Sequence, residues 1–456
     1  MDLSQRSTRG TNGTTGSGRI IANAAPLSED KEDGQPRDRY SNYVLGVLFV
    51  VLMLNFLDRQ VISILAEPIK QDLGLSDTQL GLMTGLSFAL FYTTLAIPVA
   101  ALADRWNRSW IIAIAIAIWS LMTILCGLAN NFIQLFLARV GVGVGEAGSG
   151  PASHSLIADL FPPERRAGAL GILGTAVPIG AFIAYAGGGW IVENFDWRTA
   201  FFMAGLPGII VALVMWITVK DPRGKPKFLE SFKRDPNKPT LAEAVKELSK
   251  KPAYWHLVAA GVLVQFVSYG LASFYGGLFV RVHGIGYGEL GWKLGLMVGI
   301  SGALGAFLGG KMGDYLDKRK PALSLLISGI VLIIATPGMI WAVYADNVNL
   351  GIALLAFPTF GATFYYGPSF SAIQTLASDQ TRALAVAIYL LVAGIVGLGI
   401  GPVFVGILSD IFAGGLEGAE GPALQKALMY LAFFNIWAGL HYWFAQRDIL
   451  KGLPTK

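Results

Sequence analysis

Residues 100–109 read Ala100-Ala-Leu-Ala-Asp104-Arg-Trp-Asn-Arg108-Ser109, and residues 310–319 read Gly310-Lys-Met-Gly-Asp314-Tyr-Leu-Asp-Lys318-Arg319. In each copy an acid stands four residues in and a base eight in, and the copies start 210 residues apart. Each joins two apolar stretches. A second repeat runs at an offset of 217, where Gly150-Pro151 answers Gly367-Pro368 and Arg165 answers Arg382. One acid–base spacing would mean little. Two copies at matching junctions predict a chain of two similar halves, the parallel-repeat plan of a membrane transporter.

Twelve apolar stretches are long enough to cross a bilayer, which takes about 20 residues. They lie near 42–66, 78–103, 109–128, 132–160, 167–192, 198–219, 254–280, 289–312, 322–344, 349–377, 384–411 and 424–445. Mean hydropathy is +0.54 and only 14% of residues are charged, against roughly 25% in a soluble domain. The 56 glycines suit helices that approach closely in lipid. The single cysteine, Cys126, excludes a disulfide within the chain. The predicted fold is an all-α membrane protein of twelve transmembrane helices in two six-helix, pseudo-symmetric halves.

Those halves are expected at 41–219 and 253–446. Residues 1–40 are polar, carry six acids and six bases, and lack an apolar core segment. They read as a disordered cytoplasmic tail, with no cleaved signal peptide. A short cytoplasmic tail is expected at 447–456. The linker 220–252 holds ten bases and five acids. Within it, Pro239-Thr240 followed by Leu-Ala-Glu-Ala-Val-Lys-Glu-Leu predicts a capped amphipathic helix on the membrane surface. With the N-terminus inside, the inner connections and C-terminus hold 22 lysines and arginines and the outer connections five. That bias puts both termini and the linker in the cytoplasm.

Charge inside the apolar segments marks the candidate chemistry. The first segment holds Asp58-Arg59 and the fourth holds Arg139 and Glu146. An ionised side chain at membrane depth costs about 2.5–3.5 kcal/mol by the lower estimates, so it persists where it faces a partner or a wet cavity. Arg139 and Glu146 are seven apart, two helical turns, and share one face. Asp58 and Glu146 are the expected proton-coupling carboxylates. Arg139 is the expected partner of Asp58, since Arg59 is turned about 100° away on the same helix. Arg59 and Arg139 suit an anionic head group, because a guanidinium donates two parallel hydrogen bonds.

The second half carries no central charge in segments seven, ten and eleven. It offers Gln265, Ser268, Tyr269, Ser273 and Tyr275, then Phe364, Tyr365, Tyr366 and Ser369. The candidate substrate-binding set is Asn55, Arg59, Arg139, Gln265, Tyr269, Tyr365 and Tyr366, although most single aromatics in a bundle are packing residues. Asp104 with Arg108, and Asp314 with Lys318, read as acid–base pairs at cytoplasmic helix ends that gate the halves. His154 reads as a packed, hydrogen-bonded histidine. Gly143-Val-Gly-Glu-Ala-Gly148 fits a dinucleotide-binding pattern but lies in an apolar helix with no preceding strand, so it is rejected. The sequence shows no metal-ligand cluster, P-loop or nucleophile triad. Neither an enzyme nor a cofactor other than the coupling proton is expected.

The architecture and both loop motifs resemble the major facilitator superfamily over residues 40–450. More narrowly, Asn55-Phe-Leu-Asp58-Arg59 resembles the Asn-Tyr-Met-Asp-Arg run of its spinster branch, and Gly143-Val-Gly-Glu146-Ala and Ile157-Ala-Asp159-Leu-Phe resemble two further runs of that branch. The chain departs from the superfamily at Ala100, usually glycine, and Ser109, usually basic. The resemblance implies coupling and binding roles for Asp58, Arg59, Arg139 and Glu146. It implies a substrate like the lysophospholipids and sphingosine-1-phosphate to which spinster-like proteins are linked. The expected function is proton-coupled secondary transport of an amphipathic, lipid-like organic substrate by alternating access, in a bacterial inner membrane. The alternatives are a multidrug or organic-anion carrier of the same fold, or a passive lipid scramblase or receptor. Membrane lipids and the substrate are the expected partners of a monomer that binds no nucleic acid.

Overall fold

The computed structural model describes residues 36–103, 106–223, 239–416 and 418–452. Before the linker the helices are α1 Pro36–Leu73, α2 Asp77–Gly81, α3 Ser87–Ala103, α4 Arg108–Gly127, α5 Phe132–Glu146, α6 Ser149–Leu160, α7 Pro163–Asn194 and α8 Trp197–Thr218. The linker holds α9, Leu241–Leu248. After it come α10 Pro252–Ser273, α11 Tyr275–His283, α12 Tyr287–Arg319, α13 Leu323–Val343, α14 Val348–Phe364, α15 Tyr366–Leu376, α16 Arg382–Val392, α17 Gly401–Ala413, α18 Glu420–Ala432 and α19 Phe434–Lys451. Residues 41–456 form one compact unit. Of residues 1–40, the described five open α1.

In lipid every backbone group needs an internal partner, which leaves helices as the form for these segments. Among the described residues, ten helical segments are long and apolar enough to span a membrane. The fourth and twelfth apolar stretches are not among the ten; each is divided, α5 from α6 and α18 from α19. With them the fold has twelve crossings, which return both ends of the chain to one side. That side is called terminal below, and the opposite side distal. Polar caps set several helix starts. Asn131 Oδ1 accepts from the Gln134 N–H at 2.9 Å and Asp196 Oδ1 from the Thr199 N–H at 2.6 Å. Gly284 ends α11 in the left-handed region, with φ at 64°.

The breaks respect the sequence repeat. Segment four breaks at Ala147-Gly148 and segment ten at Tyr365, and 148 plus the offset of 217 is 365. Segments two and eleven each contain a π-helical stretch, at Leu82–Leu86 and Ala393–Ile400. Such bulges concentrate at functional sites.

The two halves meet along α7 against α12 and along α2 against α17. Glycine lets the first pair touch backbone to backbone at its distal end. A β-carbon on Gly189 would stand 2.3 Å from the Tyr287 carbonyl oxygen, and one on Gly291 2.3 Å from that of Tyr185. The gap then widens, to 3.0 Å between Gly295 and Phe182 and 3.5 Å between Gly299 and the Pro178 carbonyl oxygen. Gly168, Gly171 and Gly174 of α7 meet nothing within 4 Å. The helices therefore cross at the distal end and splay toward the terminal side.

Candidate functional site

Asp58, Arg59, Arg139 and Glu146 converge, but the pairing differs from the expected one. Arg59 Nη2 donates to Glu146 Oε2 at 2.8 Å, and both side chains are buried. Arg59 also reaches Asn55 Oδ1 at 3.5 Å. Asp58 is 1% exposed and faces Arg139, Thr123 and Trp119. Neither of its oxygens has a hydrogen-bond partner among the described residues. The expected Asp58–Arg139 ion pair is thus absent. Arg59 of α1 reaches across to Glu146 of α5 instead, and Arg139 keeps Nε and Nη1 without a hydrogen-bond partner among the described residues.

Phe88 of α3 organises the two cations. The Arg59 guanidinium carbon sits 4.9 Å from its ring centroid and that of Arg139 5.6 Å. Tyr92 adds a second face over Arg59 at 4.5 Å. Guanidiniums favour aromatic faces, more so when desolvated. Around the cluster, Asn55 Nδ2, Trp119 Nε1, Thr123 Oγ1, Arg139 Nε and Nη1, and Glu146 Oε1 are buried without a partner among the described residues. Buried polar groups are nearly always satisfied, so this concentration singles the cluster out as a candidate site. Sequence reasoning missed Phe88, Trp119 and Thr123, because an aromatic or threonine in an apolar helix carries no signal of its own.

Next to the cluster lies a cavity of about 640 Å³ with walls from both halves. Phe56 and Gln60 of α1 form one wall, with Thr175, Pro178 and Tyr185 of α7. Gln265 and Tyr269 of α10 and Tyr366 of α15, three residues of the candidate substrate-binding set, line it as well. Tyr365 does not line the cavity. It is 1% exposed and stacks on Tyr366 at 4.5 Å between ring centroids, inside the second half. Asn55 lies with Arg59, behind the cavity wall. His154 is exposed, contrary to the packed reading.

The expected gating pairs rearrange. Asp104 lies outside the described residues. Arg108 is fully buried and pairs within the first half, its Nε to Asp221 Oδ2 at 2.9 Å and its Nη1 to Asp159 Oδ2 at 2.8 Å. Burial raises the Asp221 carboxyl, but the hydrogen bonds from Arg108 outweigh it and hold that carboxyl below its usual range. In the second copy of the motif the engaged acid is Asp317, which accepts from the Ser324 N–H at 2.9 Å and its hydroxyl at 2.7 Å. Asp314 and Lys318 make no ion pair among the described residues. They line a terminal-side groove beside Gly367-Pro368.

The lock that does join the halves is distal, and sequence reasoning gave its residues no functional role. Arg281 of α11 donates to Glu67 of α1, from Nε at 2.9 Å and Nη2 at 2.7 Å, and in a fork to both oxygens of Asp77 at 2.7 Å. Lys70 bridges Asp77 and Glu420 at 2.9 Å each. Ser409 donates to Asp77 at 2.6 Å. Asp410 of α17 accepts from the Asp77 and Thr78 N–H groups at 3.0 and 2.8 Å. The one available signal was the presence of acids and bases at the distal ends of segments one, two, seven and eleven.

Residues 48–413 match the family model for the Major Facilitator Superfamily. A relative named MFS-type efflux pump, from Mycolicibacterium smegmatis, is 34% identical over 438 residues, 95% of this chain and 99% of that protein. Protein spinster homolog 1 of Xenopus tropicalis is 26% identical over 426 residues, 88% of this chain and 80% of that protein. A crystal structure of a bacterial homologue of the human lysosomal transporter spinster, inward-facing and unoccupied, superposes with a TM-score of 0.82 at 33% identity. It covers 93% of this chain and all of that one.

Proposed function

The chain belongs to the major facilitator superfamily and resembles its spinster branch, and from that premise we propose that it is a proton-coupled secondary transporter of an amphipathic, lipid-like organic substrate. One observation carries this reading: a buried cluster of two carboxylates and two guanidiniums abuts a largely apolar cavity shared by both halves. Apolar walls suit a hydrocarbon chain, and the charged end suits an anionic or zwitterionic head. The splayed terminal halves of α7 and α12, with Thr175, Ala303 and Phe307 exposed at the cavity edge, give a lipid sidelong access from a membrane leaflet.

In this reading Asp58 and Glu146 exchange protons. A proton on Glu146 would release Arg59 toward the cavity. Asp58, already unbonded, is the other carboxylate able to take a proton while Arg139 reorients. Arg59, Arg139, Gln265, Tyr269 and Tyr366 would contact substrate, and Asn55 would steady Arg59. Asp104, Arg108, Asp314 and Lys318 would close the terminal side, which faces the cytoplasm of a bacterial inner membrane. The chain would act as a monomer among membrane lipids. A multidrug carrier is the second reading, favoured by the efflux-pump name of the 34% identical relative.

Substrate-driven proton movement in proteoliposomes tests both, using lysolipids of several head groups beside a set of cationic drugs. Lysolipid-induced proton flux should appear in the native chain and vanish in Asp58→Asn and Glu146→Gln. Flux that persists in both variants removes the coupling assignment. Response to the drugs alone favours the second reading.

A further inference from the structure

Between the charge cluster and the distal lock lies a second, separate void of about 10 Å³, the room taken by one water-sized particle. Both Arg59 and Arg139 line it, while neither Asp58 nor Glu146 does. Ser63 of α1 and Tyr269 and Ser273 of α10 add hydroxyls to its wall. We propose that this void is a binding site for a single monoatomic anion of the chloride class, held between the two guanidiniums.

Three observations support the assignment. First, the cations are incompletely neutralised on this side. Glu146 occupies one nitrogen of Arg59, and Arg139 keeps Nε and Nη1 buried without a partner among the described residues. Guanidinium groups cannot escape by losing a proton, so their charge needs a counter-charge or water. Second, the Phe88 ring lies against both guanidiniums, 4.9 and 5.6 Å from its centroid, and lines the void with them, so both cations border the same small space. Third, size selects the ligand. A phosphate or carboxylate, with several heavy atoms, needs far more room than this void offers, whereas a single halide, only slightly wider than water, needs a small outward shift of the lining. A halide there would also offset the positive charge left when either carboxylate takes a proton, so anion and proton binding would reinforce one another.

The site shares the arginines of the proposed transport cluster, but anion binding is read without transport, so the two proposals can fail separately. Thermal unfolding of the purified full chain in detergent is measured in sodium chloride, bromide, gluconate and phosphate at equal ionic strength. Chloride and bromide should raise the midpoint in a saturable way, as a ligand of the native state does, and gluconate and phosphate should not. The halide-specific shift should disappear in Arg139→Gln and shrink in the milder Tyr269→Phe and Ser273→Ala, which keep the packing. Bromide-soaked crystals should show one anomalous peak between Arg59 and Arg139. Equal shifts in chloride and gluconate, a stronger shift in phosphate than in either halide, or a halide shift untouched by all three variants would overturn the proposal.

Discussion

Arg108 is fully buried and divides its guanidinium between Asp221 and Asp159, while a third contact goes to the Ser155 carbonyl oxygen at 2.8 Å. A buried cation stripped of one partner retains its desolvation penalty, so breaking such a pair costs about 3–5 kcal/mol. Asp159 remains in Asp221→Ala, which places that variant at the low end. A loss near 3 kcal/mol should appear as a clear fall in the detergent unfolding midpoint, and an unchanged midpoint would show that Asp159 suffices. Asp72→Asn breaks a half-exposed pair with Arg198 at 2.7 Å and leaves an amide oxygen to accept from Trp197 Nε1, now at 3.2 Å, so it should move the midpoint little. At this scale the sequence was half legible. The membrane cost of charge picked out Asp58, Arg59, Arg139 and Glu146, and all four converge. It could not say which arginine meets which carboxylate, because one residue of offset on α1 separates Asp58 from Arg59 and only the turn of the side chains decides. Nor could it find Asp221, which follows α8 in a polar stretch where acids are ordinary.

The crossing of α7 and α12 depends on glycines with no room for a side chain. Gly291→Leu would drive a branched chain into the Tyr185 carbonyl oxygen. Overpacking of this kind costs about 1–3 kcal/mol, here charged to the crossed conformation alone. Spin labels replacing the exposed Trp190 and Trp292 should report a longer separation in Gly291→Leu than in the native chain, and an unchanged distance would show that the crossing absorbs the bulk. A second element responds to acid. Glu247 of α9 binds Lys251, Ser378 and Thr381, at 2.9 Å in each case. These bonds, Lys251 foremost, hold its carboxyl down to about 2. A carboxyl depressed in the folded state stabilises above its unfolded value, near 4.3, and loses that contribution as pH falls toward 2. Protection factors in 241–248, each referred to the intrinsic exchange rate at its own pH, should therefore be high at neutral pH and fall across that acid window, and Glu247→Gln should remove the dependence. The elements themselves were legible because period and length are written in apolar runs. The breaks at Ala147-Gly148, Phe274 and Tyr365 were not. Each lies inside an apolar stretch, and what interrupts the helix is its tertiary surroundings.

For the whole molecule, the distal lock and the terminal-side motifs are rival ways of fastening the same two halves. Here the distal side is fastened. Asp77, 2% exposed, receives Arg281, Lys70 and Ser409, three groups from three different segments. On the terminal side, Asp314 and Lys318 stand unpaired among the described residues. Alternating access needs these two fastenings to exchange, and neither can be strong enough to stop the other from forming. Asp77→Asn keeps the size and removes the charge on which the lock converges. Arg281 would fall back on Glu67, and Lys70 on the half-exposed Glu420. A loss of about 3 kcal/mol on the distal side moves the ratio of the two conformations roughly a hundredfold toward the distal-open one. Paired spin labels across the distal face should then show the long distance becoming dominant, with the terminal-side distance shortening in step. Asp72→Asn, which touches only the first half, should leave both distributions in place. If Asp77→Asn leaves both distance distributions unchanged, the acids and bases around it merely stabilise the distal ends, and the exchange between conformations is governed by helix packing alone.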